Sequence, residues 1–224
     1  MNSDKDIVIT SAFRTPIGSF QGSLKDHKAT ELGTAVVKKC MEHSNLNGSE
    51  VDTVILGQVL QTGCGQNPAR QAAINSGIDK DKTATTINQV CGSGLAAVTL
   101  GFNSLKLNDT NIVIAGGQES MTNSPHYLNY RMEKNLSEEK LKDSMLIDGL
   151  IDAYDDYHMG VTAENVAEKY QITRNDQDNF ALNSQKKAIK AISENRFKEE
   201  IIPIKLKDQK NFDKDEYPRS DTNL

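Results

Sequence analysis

Two stretches of the chain indicate the fold: Thr85-Thr-Ile-Asn-Gln-Val-Cys-Gly-Ser-Gly94 and Ile112-Val-Ile-Ala115. The first begins with β-branched residues that predict a strand ending near residue 90, and then turns through glycines. The second predicts another strand. Between them, Leu95, Val98 and Phe102 recur at helical spacing. Two strands joined by a helix form a βαβ unit with parallel strands, so this region predicts an α/β fold with a mainly parallel sheet.

The alternation of strand and helix extends toward the N-terminus. The runs Ile7-Val-Ile-Thr10 and Thr53-Val-Ile-Leu56 predict two further strands. Thr30 is the predicted N-cap of the helix between them, and this helix has one apolar stripe: Leu32, Ala35, Val36 and Cys40. Asn67 followed by Pro68 predicts the cap and first residue of another helix. We expect active groups just beyond the carboxyl ends of the strands.

The composition changes near residue 120. Residues 1–120 contain 13 of the 15 glycines and 21 charged side chains, whereas residues 121–224 contain 2 glycines and 36 charged side chains. This contrast predicts two parts: an N-terminal α/β half over 1–120 and a mostly helical, charged insert over 121–224.

The second part has its own helix signals. Thr162 predicts the start of one helix, and Thr173 with Asp176 three residues later predicts a second helix with a capping box. The stretch 121–158 has weak periodicity, which is typical of irregular loops with short helices.

Composition and charge exclude several classes of protein. Apolar runs are shorter than the ~20 residues that span a bilayer, and Met1-Asn-Ser-Asp-Lys-Asp6 lacks the pattern of a signal peptide. We therefore expect a cytoplasmic protein without a membrane partner. The formal net charge of −5 argues against a nucleic-acid partner. The sequence has no phosphate-binding loop, dinucleotide-binding motif or cluster at metal-ligand spacing, so it predicts no metal site.

Cys91 stands where a predicted strand stops and a predicted helix starts, and glycines follow at positions 92 and 94. Free N–H groups and the helix dipole at a helix N-terminus favour the thiolate, which is the nucleophilic form of cysteine. Free cysteine is also among the most buried residue types. The spacing alone leaves both interpretations of Cys91 open, whereas Cys40 on a helix stripe favours packing.

The segment Asn88-Gln-Val-Cys-Gly-Ser-Gly-Leu-Ala-Ala-Val98 closely resembles the nucleophile segment of the thiolase family, in particular of its acetyl-CoA acetyltransferases. Four more segments are similar to that family, in its order: Arg14-Thr-Pro-Ile-Gly18, residues 56–73, Ala115-Gly-Gly-Gln-Glu-Ser-Met-Thr122 and Tyr157-His-Met-Gly-Val-Thr-Ala-Glu-Asn165. The resemblance covers essentially the whole chain and implies a thiolase-like fold, in which 121–224 is a loop domain that covers CoA.

The resemblance also implies a reaction. Thiolases are acyltransferases that condense two acetyl-CoA molecules to acetoacetyl-CoA and CoA, or run the thiolytic reverse, through an acyl-cysteine. Cys91 would be the acylated nucleophile. His158 and Met159 match the part of the insert over the pantetheine and acyl end of CoA, and Arg219 matches a region near the adenine end. The resemblance implies no cofactor, because CoA thioesters are the substrates.

Further catalytic groups of the family lie toward its C-terminus in Asn-Glu-Ala-Phe-Ala, Gly-His-Pro and Cys-x-Gly segments, which do not occur in these 224 residues. We therefore expect the C-terminal thiolase half to be absent and the chain alone to be inactive. The expected partners are CoA, acyl-CoA, and a second copy of the chain or a complementing C-terminal half.

Several interpretations stay open. The chain is the N-terminal portion of an acetyltransferase, one piece of a split enzyme, or a non-catalytic remnant that binds CoA or other subunits. A longer-chain 3-ketoacyl-CoA thiolase is the alternative enzyme.

Three other features favour structural roles over catalytic ones. Arg14-Thr-Pro16 is interpreted as a strand-ending turn, and Gly116-Gly117 as a tight turn after the fourth strand. A lone histidine such as His126 is more often a surface or core residue than a catalytic one.

Overall fold

A computed structural model describes residues 6–132 and 137–224. Its main sheet consists of three parallel strands in the order β2-β1-β3, where β1 is Thr53–Gly57, β2 is Thr83–Ile87 and β3 is Val113–Gly117. The mainly parallel sheet predicted from the sequence is confirmed, and β1 lies at its centre.

The described helices surround this sheet or follow it in the chain. They are α1 (Ala29–His43), α2 (Pro68–Asn75), α3 (Ser93–Lys106), α4 (Met159–Lys169) and α5 (Arg174–Ser193). In the sheet, Thr53 of β1 lies opposite Thr83 on one side and Val113 on the other. The three strands therefore end level at one edge, and their carboxyl ends lie side by side.

The segment between β3 and α4 is irregular, as its weak periodicity predicts. It contains 3-10 helices at Met121–Asn123 and Glu138–Lys140, the paired strands β4 (His126–Tyr127) and β5 (Lys142–Asp143), and a π-helical turn at Leu146–Leu150. After α5, a small hairpin pairs β6 (Ile204–Lys205) with β7 (Asn211–Phe212).

The core lies on the face of the sheet that α1 and α2 cover. All five residues of β1 are buried, and their side chains alternate between the two faces. Val54 and Leu56 belong to one apolar cluster with Val37 and Met41 of α1 and with three alanines of α2: Ala69, Ala72 and Ala73. On the other side of the sheet, α3 packs against β1 and β3.

Helix α3 packs on the sheet through small side chains. Ser93, Ala97 and Gly101 are its buried residues, and a Cβ added at Gly101 would lie 3.0 Å from Val113. The residues of the predicted apolar stripe are exposed instead: Leu95, Val98 and Phe102. The apolar spacing thus predicts the helix but does not identify its buried face, because so close an approach to the sheet selects the smallest side chains.

Helix α1 also differs from its predicted form. It begins at Ala29 with Lys28 as N-cap, so the prediction of Thr30 as the cap was wrong. The Glu31 carboxylate accepts a hydrogen bond from the Lys28 N–H at 2.8 Å, and this contact fixes the first turn two residues earlier than an N-cap at Thr30 would require. Thr30 is buried in the first turn.

The predicted stripe of α1 packs away from the main core. Leu32, Ala35 and Val36 lie against a second apolar cluster around Leu24, Ile202 and Ile204. The stripe that faces the core consists of Val37 and Met41. Helix α1 is thus apolar on two sides, because it is covered by the sheet core on one and by the C-terminal hairpin on the other.

The predicted strand Ile7–Thr10 does not form, and this prediction was wrong. Val8 and Ile9 are 71% and 81% exposed, and the segment has no regular secondary structure. Strand conformation is stabilised by ladder hydrogen bonds to a neighbouring strand. None of the described residues provides such a neighbour for this run.

Helix α4 begins at Met159 rather than at the predicted Thr162, because His158 acts as its cap. The start of α5 is as predicted: Thr173 is its N-cap and forms a reciprocal capping box with Asp176. The N-cap of α2 is confirmed at Asn67, whose side chain accepts a hydrogen bond from the Arg70 N–H.

The end of the chain packs back onto its beginning through charged groups. Arg14 donates to the carboxylates of Asp215 and Glu200, at 2.8 Å and 2.6 Å. Burial alone would raise the pKa of Asp215, but hydrogen bonds from Arg14 and from the Ile17 amide hold it below its ordinary value. These contacts agree with a structural role for Arg14 and connect the parts predicted as 1–120 and 121–224.

In the described ranges, no helix combines the length and apolarity that crossing a bilayer requires. The same residues contain no group of three or more His, Cys, Asp or Glu side chains arranged to hold a metal ion. Residues 1–5, which the sequence interpretation of the N-terminus used, lie outside the described residues.

Candidate active site

Cys91 lies in a tight turn between β2 and α3, as predicted. Strand β2 ends at Ile87, three residues before the predicted end at Val90, since Val90 has a left-handed backbone with φ 49°. This conformation is rare for a β-branched residue and cannot continue a strand. It turns the chain sharply, so that α3 begins at Ser93 with Gly92 as N-cap.

The Ser93 side chain holds this turn. Its hydroxyl accepts a hydrogen bond from the Gln89 N–H at 2.8 Å and donates one to the Val90 carbonyl at 2.6 Å. Ser93 is 4% exposed, whereas the neighbouring Cys91 is exposed. The buried Ser93 side chain therefore fixes the turn, and Cys91 lies on the exposed side of it.

The N–H group of Cys91 has no hydrogen-bond acceptor among the described residues. The same holds for the N–H groups of Gly94 and Leu95 in the first turn of α3. Free donors and the positive end of the helix dipole thus lie close to the thiol, an arrangement that stabilises negative charge.

Cys91 borders a cavity of about 480 Å³ at the carboxyl end of the sheet. Its walls come from the segments that follow β1 and β3, from the start of α3 and from the π-helical turn. Among the described residues, the side chains that line it with Cys91 include Val59, Leu60, Val90, Glu119, Met121 and Leu150. Apolar side chains dominate the walls. Glu119 is the one carboxylic acid among these lining residues.

Glu119 is a partly buried carboxylate in the wall of this cavity. Its burial raises its pKa above the ordinary value, against the opposing effect of N–H donors from Val59 and Leu60. The Val59 N–H lies 2.8 Å from Oε2. Glu119 therefore ties the segment after β1 to the segment after β3. Glu119 was not predicted as a site residue, although its position just after a strand end is a signal visible in the sequence.

A second tie between the same segments is formed by two buried glutamines. Gln118 Nε2 donates to Gln58 Oε1 at 2.8 Å, and Gln58 Nε2 donates to the Leu60 carbonyl at 2.8 Å. The Cys64 sulfur accepts a further bond from Gln58 Nε2 at 3.3 Å. Cys64 is thus part of the support behind the cavity wall.

Gly116 and Gly117 are the last two residues of β3, so the prediction of a tight turn there was wrong. A Cβ at Gly117 would lie 3.5 Å from both the Gly57 carbonyl and the Gly94 Cα. These three glycines allow the start of α3 to approach the ends of β1 and β3, and this approach brings Cys91 to the sheet edge.

The other predicted site residues lie outside the walls of this cavity. His158 caps α4, and its Nδ1 accepts a hydrogen bond from the Gly160 N–H at 2.9 Å. The main chain of His158 pairs with Ile151, which follows the cavity-lining Leu150. Met159 is the first residue of α4 and is 40% exposed. The pair is therefore connected to the cavity wall through one backbone bridge.

Arg219 is exposed, and its main-chain N–H donates to Gln185 of α5 at 2.8 Å. The structure does not bring it to Cys91. His126 is also exposed and lies 3.8 Å from the Asp143 carboxylate.

Comparison with known proteins identifies the family. A family model described as "Thiolase, N-terminal domain" matches residues 7–224. An acetyl-CoA acetyltransferase from Pseudomonas aeruginosa is 50% identical over 98% of this chain and 57% of its own length. A probable acetyl-CoA acetyltransferase from Escherichia coli is 50% identical over 97% of this chain and 56% of its own length.

A probable acetyl-CoA acyltransferase from Staphylococcus epidermidis is 49% identical over 91% of this chain and 52% of its own length. The chain thus spans little more than half the length of the relatives that it matches. With its parallel α/β sheet and its match along nearly every residue, the chain belongs to the thiolase family.

Proposed function

We propose that Cys91 is the nucleophile of an acetyl-CoA C-acetyltransferase, which condenses two acetyl-CoA to acetoacetyl-CoA or runs the thiolytic reverse. The observation that supports this proposal is the exposed Cys91 in the wall of an apolar cavity, beside the free N–H groups of a helix start. The relatives named acetyl-CoA acetyltransferase favour the same reaction.

In the first half-reaction, the Cys91 thiolate attacks the thioester carbonyl of acetyl-CoA. The carbonyl oxygen becomes negative, and the free Cys91 N–H is one donor for it. The C–S bond to CoA then breaks and CoA leaves as a thiolate, so the acetyl group remains on Cys91 as a thioester. In the second half-reaction, a carbanion formed from another acetyl-CoA displaces Cys91.

We propose that His158 and Met159 contact the pantetheine and acyl end of CoA and that Arg219 contacts the nucleotide end. The backbone bridge from His158 to Ile151 supports the first assignment, because it connects α4 to the cavity wall. The exposed position of Arg219 leaves its guanidinium accessible to a phosphate. CoA is a substrate in this scheme, and no cofactor takes part.

We propose that the full cycle needs groups beyond these 224 residues. Removal of the α-proton of a thioester needs a base, and no histidine is among the described residues that line the cavity. A second copy of the chain or a C-terminal half is the proposed source of the remaining groups, and the cytoplasm is the proposed compartment. The relative named acetyl-CoA acyltransferase supports the alternative of a longer-chain 3-ketoacyl-CoA thiolase.

The experiment is to incubate the chain with acetyl-CoA and to map acetylated cysteines by mass spectrometry. We expect slow acetylation of Cys91 and none after Cys91→Ala, while Cys40→Ala, the matched control, leaves the Cys91 adduct unchanged. Preferential acetylation of Cys40 or Cys64 would contradict the proposal. Turnover of acetoacetyl-CoA and CoA by the chain alone would show that it already contains a base.

A further inference from the structure

We propose that Ser93 is a positioning residue for Cys91, which it holds in place through the turn that they share. The inference rests on the proposed role of Cys91 as the nucleophile. It concerns how the thiol is kept beside the free donors at the start of α3.

The turn needs a restraint because its backbone is strained. Val90, directly before Cys91, has φ 49°, a conformation that is strained for a β-branched residue and persists only where its surroundings enforce it. Two hydrogen bonds from Ser93 restrain Val90 on one side. The Ser93 hydroxyl and the Ser93 N–H both donate to the Val90 carbonyl, the N–H at 3.1 Å. Val90 N–H donates to the exposed Asn88 side chain on the other side, at 2.9 Å.

The Ser93 hydroxyl closes the turn in a way that few side chains could match. It accepts from Gln89 N–H and donates to Val90 C=O at the same time, which requires a short side chain with both a donor and an acceptor. Alanine at this position would leave the Gln89 N–H without that partner.

The restraint is anchored to the centre of the sheet. A Cβ added at Gly57, the last residue of β1, would lie 2.5 Å from the Ser93 Cβ. Ser93 is therefore packed directly against the end of β1, whose five residues are all buried. Movement of Cys91 relative to the sheet requires that this contact or the two hydroxyl bonds break.

The test uses the 224-residue chain and iodoacetamide, with the rate of Cys91 alkylation measured by peptide mapping across a range of pH. We expect Ser93→Ala to slow Cys91 alkylation at neutral pH by about tenfold, because both hydroxyl bonds that hold the turn are lost, and to move the pH profile to higher pH. Thr99→Ala is the matched control: it removes a hydroxyl that donates to the Leu95 carbonyl on the exposed side of the same helix. We expect its profile to equal that of the wild type.

A Ser93→Ala profile equal to that of Thr99→Ala would overturn the proposal. A purely structural role would lower the melting temperature without moving the pH profile, and this result would also overturn it. If Ser93→Ala does not fold, Ser93→Thr, which keeps the hydroxyl, replaces it: a wild-type profile supports the proposal, and a shifted one contradicts it. If the wild type itself is alkylated preferentially at Cys40 or Cys64, the proposed function fails rather than the role of Ser93.

Discussion

At Glu119, burial and hydrogen bonding have opposite effects on the pKa of the carboxyl group. Its carboxylate lies in an apolar cavity wall, so loss of water raises its pKa, while N–H donors from Val59 and Leu60 favour the charged form without fully compensating. A group whose pKa is higher in the folded than in the unfolded state contributes stability at low pH. That contribution is lost as the pH rises through the folded-state pKa.

We therefore expect Glu119→Gln to change how stability depends on pH. Relative to the variant, the wild type should lose free energy of unfolding as the pH rises from the ordinary value of 4.5 through the raised pKa, and the difference should then become constant. Urea unfolding from about pH 4 to about pH 8 measures this effect. Glu42→Gln, which replaces an exposed carboxylate, is the control. Parallel curves for the wild type and Glu119→Gln would show that the carboxylate is not desolvated.

At the scale of elements, α2 shows how one side chain can fix both the start of a helix and its place on a strand. Asn67 has a left-handed backbone with φ 38° and accepts from the Arg70 N–H at 3.1 Å. The same side chain accepts from the Thr86 hydroxyl at 2.8 Å and donates to the Ala84 carbonyl at 2.9 Å. The N-cap of α2 is therefore also a tie to β2.

Asn67→Ala should lower the free energy of unfolding by about 2 kcal/mol, because it removes the cap and the tie and places alanine at a positive φ. Asn108→Ala separates these causes. Asn108 has φ 58°, but its side chain makes no hydrogen bond to a described residue. Its substitution should cost about 1 kcal/mol, the backbone contribution alone. Chemical denaturation measures both, and equal losses would mean that the Asn67 side-chain bonds add nothing.

The elements also show what the sequence pattern could and could not predict. Neighbouring residues in the sequence were enough to predict the three main strands, the caps at Asn67 and Thr173 and the turn at Cys91. They do not show which distant part of the chain packs against a given segment. The run Ile7–Thr10 therefore looked like a strand, and α3 looked buried on the side that is exposed. Glu119 and Ser93 were missed because their importance comes from contacts across the sheet edge.

At the scale of the whole molecule, an apolar surface along α3 is uncovered in the described structure. Leu95 and Phe102 lie on its exposed side, at 74% and 46%, and elsewhere in the chain Val8 and Ile9 are 71% and 81% exposed. Exposed apolar patches above a few hundred Å² are unusual in monomers and favour association.

The isolated chain is therefore expected to self-associate through this surface. The double variant Leu95→Ser, Phe102→Ser should shift the protein toward the monomer, with a change in stability of about 0.5 kcal/mol or less because both side chains are exposed. Size-exclusion chromatography with light scattering measures the shift. Phe180→Ser, at a 78% exposed position of α5, is the control and should leave the association unchanged. An equal shift in the control would indicate nonspecific solubility effects.

The contact of Arg14 with Asp215 has a consequence for the time course of synthesis. The two residues are 201 positions apart, and Glu200 is 186 positions from Arg14. A ribosome makes the chain from the N-terminus at roughly 5–20 residues per second, so Arg14 emerges roughly ten seconds or more before its carboxylate partners exist. During that interval the sheet and α1 to α3 are made, but the two carboxylates that bind the Arg14 guanidinium and the Phe197 ring that lies 5.1 Å from it do not yet exist. The N-terminal segment is therefore made first, but its ion pairs with Glu200 and Asp215 are among the last contacts to form.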